Sequence, residues 1–99
     1  MKTKIDTYGK IIIPTRLLKR YGIAGNSPVV LLPVRDGIQI SNTNNFIMDK
    51  TPEDEIVTVD QSGGFAIPSH FQSRYKFEAK DVLRIVRRKT CILIYKDNL

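Results

Sequence analysis

The sequence has few of the residues that build metal sites and disulfides. It contains one Cys, one His and no Trp among its 99 residues. A structural zinc site needs four ligands that are mostly Cys or His, so these counts argue against a Cys/His metal centre, and we expect no cofactor. A single Cys cannot form a disulfide within the chain, which favours a reducing compartment and predicts a cytoplasmic location.

Long apolar stretches are also missing. The longest unbroken apolar run extends from Cys91 to Tyr95, which is five residues, whereas a membrane-spanning helix needs about 20. Lys2 and Lys4 stand near the start with no apolar stretch behind them, so no signal peptide is expected. We therefore expect a soluble protein without a membrane partner.

The charge is abundant and unevenly distributed. Sixteen Lys and Arg stand against ten Asp and Glu, for a net charge of +6. Residues 1–42 carry a net +5, residues 43–57 a net −3 and residues 58–99 a net +4. Two basic blocks around an acidic connector favour a polyanionic partner such as nucleic acid or an anionic membrane, the alternative being a merely solvated basic surface.

The chain contains an internal repeat. Displacing the sequence by 54 positions aligns residues 5–42 with residues 59–96 without a gap, and 8 of the 38 aligned pairs are identical. Further pairs keep their apolar character, so the repeat indicates a diverged tandem duplication. The identical pairs are Asp6/Asp60, Gly9/Gly63, Ile13/Ile67, Pro14/Pro68, Arg20/Arg74, Tyr21/Tyr75, Ile38/Ile92 and Ile40/Ile94.

Each repeat predicts the element order β-β-α-β-β. An Asx residue followed by a Gly indicates a turn between the first two strands, and a Pro after an apolar triplet suits the first position of a short helix. The first repeat predicts a strand around Ile5, a strand over 11–13, a helix from Pro14 that Gly22 ends, and strands over 28–34 and 38–41 joined at Asp36-Gly37. The second predicts strands around Val59 and over 65–67, a helix from Pro68 with Lys76 at its end, and strands over 82–87 and 91–95.

A repeat of this length rarely buries enough apolar surface to fold alone. We therefore predict one shared barrel, built from a first repeat over 1–42 and a second over 56–99. An acidic linker over 43–55 joins them, and Phe46, Ile47 and Met48 are expected to pack it against the surface.

Residue patterns typical of enzymes are absent. Neither a GxxxxGK[ST] loop nor a GxGxxG loop occurs. His70 aligns with Arg16, which indicates a surface position, and Cys91 has no His near it in sequence, which indicates a structural thiol. The repeat explains Asp6 and Asp60 as turn formers rather than as an acid/base pair. We expect no enzymatic activity.

The segment from Lys4 to Ile23, KIDTYGKIIIPTRLLKRYGI, resembles the swapped-hairpin DNA-binding domain of the AbrB/MazE/MraZ superfamily. The shared features are an Asp, a Gly with a basic residue after it, an apolar triplet, a Pro, a short basic helix that ends in Gly-Ile, and a β-hairpin. In this chain they are Asp6, Gly9-Lys10, Ile11 to Ile13, Pro14, Arg16 to Tyr21, Gly22-Ile23 and residues 28–41. The segment from Thr58 to Phe77 is a weaker instance of the same pattern.

The resemblance implies a mainly-β fold with two short helices. In it, two ββαββ repeats form a swapped-hairpin, double-psi-like β-barrel as an intramolecular pseudo-dimer. It also implies a transcriptional regulator that docks a basic face on double-stranded operator DNA. The implied DNA-binding residues are Lys4, Lys10, Arg16, Lys19, Arg20 and Arg74.

The basic positions of this pattern are poorly kept in the second repeat. Gly64 stands at the position of Lys10, and Ser73 at the position of Lys19. DNA contact is therefore expected to be asymmetric, with the first repeat dominant. The hairpin tip at Arg87, Arg88 and Lys89 is a secondary candidate.

An antitoxin-like or scaffold protein-interaction module with weak or no DNA binding is the alternative. Self-association and a toxin partner are both compatible with the superfamily. Antitoxins usually add a C-terminal tail, whereas this sequence stops at Leu99 directly after the last predicted strand. That ending favours the DNA-binding interpretation.

Overall fold

The computed structural model describes residues 1–45 and 54–96 of the protein. It confirms a mainly-β fold with two short helices. The first repeat forms β1 (Lys2–Lys4), β2 (Lys10–Ile12), α1 (Thr15–Arg20), β3 (Ser27–Val34), β4 (Gly37–Asn42) and a 3-10 turn (Thr43–Asn45). The second forms β5 (Glu55–Val59), β6 (Gly64–Ala66), α2 (Ser69–Tyr75), β7 (Val82–Arg87) and β8 (Ile92–Lys96). Phe46, Ile47 and Met48 lie outside the described residues.

Both repeats contribute strands to one sheet. Six antiparallel strands in the order β1-β7-β8-β4-β3-β5 curl into a half-barrel, and β2 pairs with β6 in a separate two-stranded ribbon. The first strand of each repeat pairs with the third strand of the other, since β1 lies beside β7 and β5 beside β3. The hydroxyl of Thr3 bonds the backbone of Ile12, which ties β1 to the ribbon.

The strand registers repeat with the same displacement of 54 that aligns the sequence. Thr3 lies opposite Leu83, and their equivalents Val57 and Val29 also lie opposite each other. Two pairings join a residue to its own equivalent, Ile11 with Phe65 in the ribbon and Gln39 with Leu93 in the sheet. The duplication visible in the sequence is therefore present in the hydrogen-bonding pattern of the strands.

The two repeats share a single hydrophobic core. Fully buried aliphatic side chains of the sheet, such as Ile40 and Ile94, form one cluster with those of the ribbon and of both helices. Burial of this apolar surface is the main force that holds the sheet, the ribbon and the helices together. The cluster contains Ile5, Ile11, Ile13, Leu17, Leu18, Ile23, Val29, Leu31, Ile38, Ile40, Val59, Phe65, Ile67, Phe71, Phe77, Leu83, Ile85, Ile92 and Ile94.

The helices are too short to be stable alone, and tertiary contacts hold them. Each carries a half-buried Tyr whose hydroxyl donates a hydrogen bond to the hairpin tip of the other repeat. Tyr21, the C-cap of α1, reaches the carbonyl of Arg88 at 2.7 Å, and Tyr75 of α2 reaches the carbonyl of Val34 at 2.5 Å. The position of each helix is thus tied to the opposite repeat.

Local predictions were correct except at a few boundaries. Pro14 and Pro68 precede the helices as N-caps rather than opening them. Lys76 adopts the left-handed conformation expected at the end of α2, with φ 56°. The predicted turn at Asp36-Gly37 is wrong by one residue, because Gly37 already pairs with Val34 and the loop is Arg35-Asp36.

Gly37 serves close strand packing rather than turn geometry. A Cβ on this residue would lie 2.1 Å from the carbonyl oxygen of Ile94 on the neighbouring strand. The short distance between β4 and β8 therefore requires a residue without a side chain here. Sequence alone could not distinguish this need from that of a turn.

The first repeat in isolation should not form a stable monomer. Residues 1–45 lack β7 and β5, so β1 loses its partner in the sheet, β3 keeps only β4, and the shared core is opened. We expect the fragment to be unfolded or to dimerise, as measured by circular dichroism and analytical ultracentrifugation, while the full chain melts cooperatively. A monomeric fragment with its own cooperative melt would contradict this interpretation.

Candidate nucleic-acid interface

The ends of the ribbon are set by two equivalent Asx turns. The Asp6 carboxylate accepts the backbone N–H groups of Tyr8 and Lys10 at 2.8 and 2.9 Å. The Asp60 carboxylate accepts those of Ser62 and Gly64 at 2.9 and 2.8 Å. These bonds confirm that both aspartates form turns, as the repeat predicted.

The turns also hold the segments that lead into the helices. The N–H of Ile13, just before α1, donates to the carbonyl of Gly63 at 2.9 Å, and the N–H of Ile67 donates to Gly9 in the same way. Gly63 has φ 87°, and a Cβ there would lie 2.1 Å from the oxygen of Ile13. Each helix is consequently placed against the turn of the other repeat.

Lys10 forms an ion pair across the ribbon. Its Nζ lies 2.7 Å from an oxygen of Asp60, and both side chains keep about two fifths of their surface exposed, at 40% and 41%. The hydrogen bond from Lys10 holds the pKa of the Asp60 carboxyl well below its usual range, with help from the Ser62 hydroxyl and backbone donors. The same bond raises the pKa of Lys10. The pair is oriented and charged, and it remains accessible to solvent.

Helix α1 presents basic residues along its exposed side. Arg16, Lys19 and Arg20 are all exposed, while Leu17 and Leu18 are buried beneath them. Leu18 packs toward the turn at Gly63, where its Cδ1 would be 3.3 Å from an added Cβ. Through that turn, which contains Asp60, α1 is connected to the Lys10 ion pair.

Two of the three basic residues of α1 also line a groove. Arg16 and Arg20 border a cavity of about 650 Å³ together with Arg87, which comes from the end of β7. The remaining lining residues are Met1, Pro14, Thr15 and Leu17. The hydrogen bond from Tyr21 to Arg88 fixes the β7–β8 tip beside α1 and so places Arg87 there.

Arg87 lines the groove with Arg16 and Arg20, although the sequence predicted it only as part of a secondary candidate. It aligns with Pro33, so the comparison of repeats offered no signal for it. The only indication was the run of three basic residues at the hairpin tip. Its proximity to α1 depends on a contact between residues 67 positions apart, which no local pattern reveals.

The other two predicted residues lie apart from this group. Lys4 is exposed at the end of β1, opposite Val82. Arg74 lies on α2, where its guanidinium is 5.6 Å from the ring centre of Tyr75. The structure thus associates Lys10, Arg16, Lys19 and Arg20 with α1 and its adjoining turn, and it places Lys4 and Arg74 on other elements.

The second repeat has a different surface at the equivalent positions. His70 is exposed on α2 and its ring contacts Phe71, with centroids 4.3 Å apart. Cys91 is buried, as expected of a structural thiol, and burial raises its pKa.

Within residues 1–45 and 54–96, no group of three or more His, Cys, Asp or Glu side chains could hold a metal ion. No helix in the described part of the chain is long and apolar enough to cross a membrane. Compared with known proteins, the chain matches no protein-family model, no curated protein and no solved structure.

The Lys10–Asp60 pair should make stability fall in acid. The pKa of Asp60 is lower in the folded chain than the value of about 4 expected when unfolded. The contribution of the ionised Asp60 to the free energy of unfolding is therefore present above about pH 4, and it is lost as the pH falls toward the folded-state pKa. Urea unfolding between about pH 7 and pH 2 should show a smaller acid loss for Asp60→Asn than for the wild type.

The matched control is Asp6→Asn, which alters the equivalent turn and leaves the lysine pair intact. We expect the acid loss of this variant to resemble that of the wild type more closely than Asp60→Asn does. Parallel curves for Asp60→Asn and the wild type would show that the ion pair does not contribute.

Proposed function

We propose that the protein is a DNA-binding transcriptional regulator that docks a basic face on operator duplex. The observation that carries the proposal is the placement of exposed Arg16, Lys19 and Arg20 on one short helix, adjoining the turn to which Lys10 is paired. Duplex DNA carries one negative charge per about 1.7 Å of axis, so a compact set of cations can engage several phosphates at once.

The proposal includes the architecture of a tandem swapped-hairpin barrel. Support comes from the exchange of β1 and β5 between repeats and from the shared register displacement. In this arrangement one chain supplies both halves of the barrel, whereas swapped-hairpin domains of that superfamily usually form it from two chains. The resemblance of the Lys4–Ile23 segment to the AbrB/MazE/MraZ superfamily points the same way.

Binding would begin with electrostatic docking. Lysine and arginine side chains contact phosphates and set the orientation, while a subset reaches base edges in a groove. Lys10 stays partly exposed in its ion pair, so a phosphate oxygen can approach its ammonium group without unfolding of the ribbon. Repression or activation would follow from occupancy of a site near a promoter.

A protein-interaction module is the second candidate. It is favoured by exposed apolar side chains that a DNA-binding face does not need, above all Ile56 on the edge strand β5, which is 53% exposed. Tyr8, at the tip of the first turn, is 86% exposed. The two candidates differ in one measurable property, which is salt-dependent binding to duplex DNA.

Affinity for duplex DNA should fall steeply with salt. If Lys4, Lys10, Arg16, Lys19, Arg20 and Arg74 each neutralise one phosphate, the slope of log affinity against log salt is about −5, at roughly −0.9 per contact, and a weaker contact at Arg74 reduces its magnitude by less than one. Fluorescence anisotropy with duplexes from the region upstream of its own gene, between about 50 and 200 mM salt, measures this slope. Absence of binding to any duplex at low salt would favour the interaction module.

Equivalent arginines of the two repeats should differ in their effect. Arg20 and Arg74 occupy the same position of α1 and α2. Arg20 has Arg16 and Lys19 as neighbours on its helix, whereas α2 carries His70 and Ser73 at those two positions. We expect Arg20→Gln to reduce the magnitude of the salt slope by about one, and Arg74→Gln to reduce it by less. The two variants remove the same charge, so equal losses in the anisotropy titration would contradict the asymmetry.

A further inference from the structure

Three arginines from different parts of the chain line one groove. Arg16 and Arg20 come from the first repeat and Arg87 from the second, and all three are exposed. Among the residues that the structure describes, none of the ion pairs involves these arginines. Three arginines have thus been placed around one cavity without a counter-ion in the described part of the chain, and an anionic ligand would relieve their repulsion.

We infer that this groove, named here the arginine groove after Arg16, Arg20 and Arg87, binds the phosphodiester backbone of duplex DNA. The inference rests on the proposed function and extends it, because Arg87 belongs to neither α1 nor the ribbon. The arginine groove would hold the strand beyond the contacts made by Lys10 and Lys19. It would lengthen the footprint of the protein at the α1 end.

The chemistry of the arginine groove suits phosphate. Guanidinium groups form paired hydrogen bonds to phosphate oxygens, and they lose less hydration than ammonium groups do. Apolar side chains between them, including Leu17 and Pro14, supply a surface for the arginine stems without offering competing acceptors. A cavity of about 650 Å³ is open enough to admit a backbone phosphate with its sugar.

The second repeat supplies an internal comparison. At the α2 end, Glu55 and His70 of the second repeat stand at the positions equivalent to Met1 and Arg16, and Pro33 of the first repeat stands at the position equivalent to Arg87. Only Arg74 remains of the three arginines, and a carboxylate has been added. Repeats with the same strand registers have therefore diverged at this location in charge, which is what selection for an anionic ligand at one end would produce.

A functional arginine groove gives the complex a direction. A symmetric protein could bind a duplex equally well in either orientation. Here the α1 end would hold an additional stretch of backbone that the α2 end cannot hold. DNA should consequently extend farther from the centre of the protein on the α1 side.

The test uses the full chain and two charge-neutralising variants, one at each hairpin tip. Arg87→Gln removes the proposed contact, and Arg35→Gln removes the same charge from the β3–β4 loop, at an exposed position outside the arginine groove. Anisotropy titrations with the same duplex at several salt concentrations give the affinity and the salt slope. Because both side chains are exposed, unchanged thermal melting should show that the fold is kept.

We expect Arg87→Gln to lower the magnitude of the salt slope by about one and the affinity by about eightfold at 0.1 M salt, since each contact contributes roughly a factor of [salt] to the power −0.9. Arg35→Gln should leave the slope near the wild-type value. If the wild type binds duplex and both variants have the same slope, the groove assignment is overturned and the proposed function stands. If the wild type binds no duplex at low salt, the proposed function fails and the inference with it.

Discussion

The exchange of first strands between the repeats is the constraint on which the rest of the structure depends. β1 completes the sheet beside β7, and β5 completes it beside β3. Neither repeat contains the hydrogen-bonding partner of its own first strand, so the core can form only when both are present. The same exchange carries each helix to the turn of the opposite repeat, and it brings Arg87 of the second repeat to α1 of the first.

Local chemistry made much of the fold predictable. The Asp and Gly of each turn, the Pro before each helix and the left-handed Lys76 follow from interactions within a few residues, and they were found where the sequence indicated. Contacts between distant residues were not predictable in this way. The approach of Gly37 to Ile94 and the ion pair of Lys10 depend on which strands become neighbours, and the sequence pattern does not encode that choice locally.

The candidate site was predictable in its composition and only partly in its geometry. Residue types and the repeat alignment identified the basic side of α1, since exposed and buried positions of a short helix follow its period. They did not separate residues that share a groove from those on other elements, such as Lys4 and Arg74. Nor did they show that Lys10 would have an acidic partner, because Asp60 is 50 positions away.

The difference between the two strands of the ribbon involves two residues that depend on each other, Lys10 and Gly64. Lys10 and Gly64 occupy equivalent positions, and a Cβ on residue 64 would lie 2.6 Å from Cε of Lys10 and 3.1 Å from the Asp60 carboxylate. The absence of a side chain at residue 64 leaves open the space through which Lys10 reaches Asp60. A dimer of identical chains with lysine at both positions would have two side chains competing for this space. Within a single chain the two equivalent positions can differ, so that one carries glycine and the other a lysine held in an exposed ion pair. The two ends of the ribbon are therefore chemically different, whereas the ends of a ribbon formed by two identical chains related by symmetry would be the same.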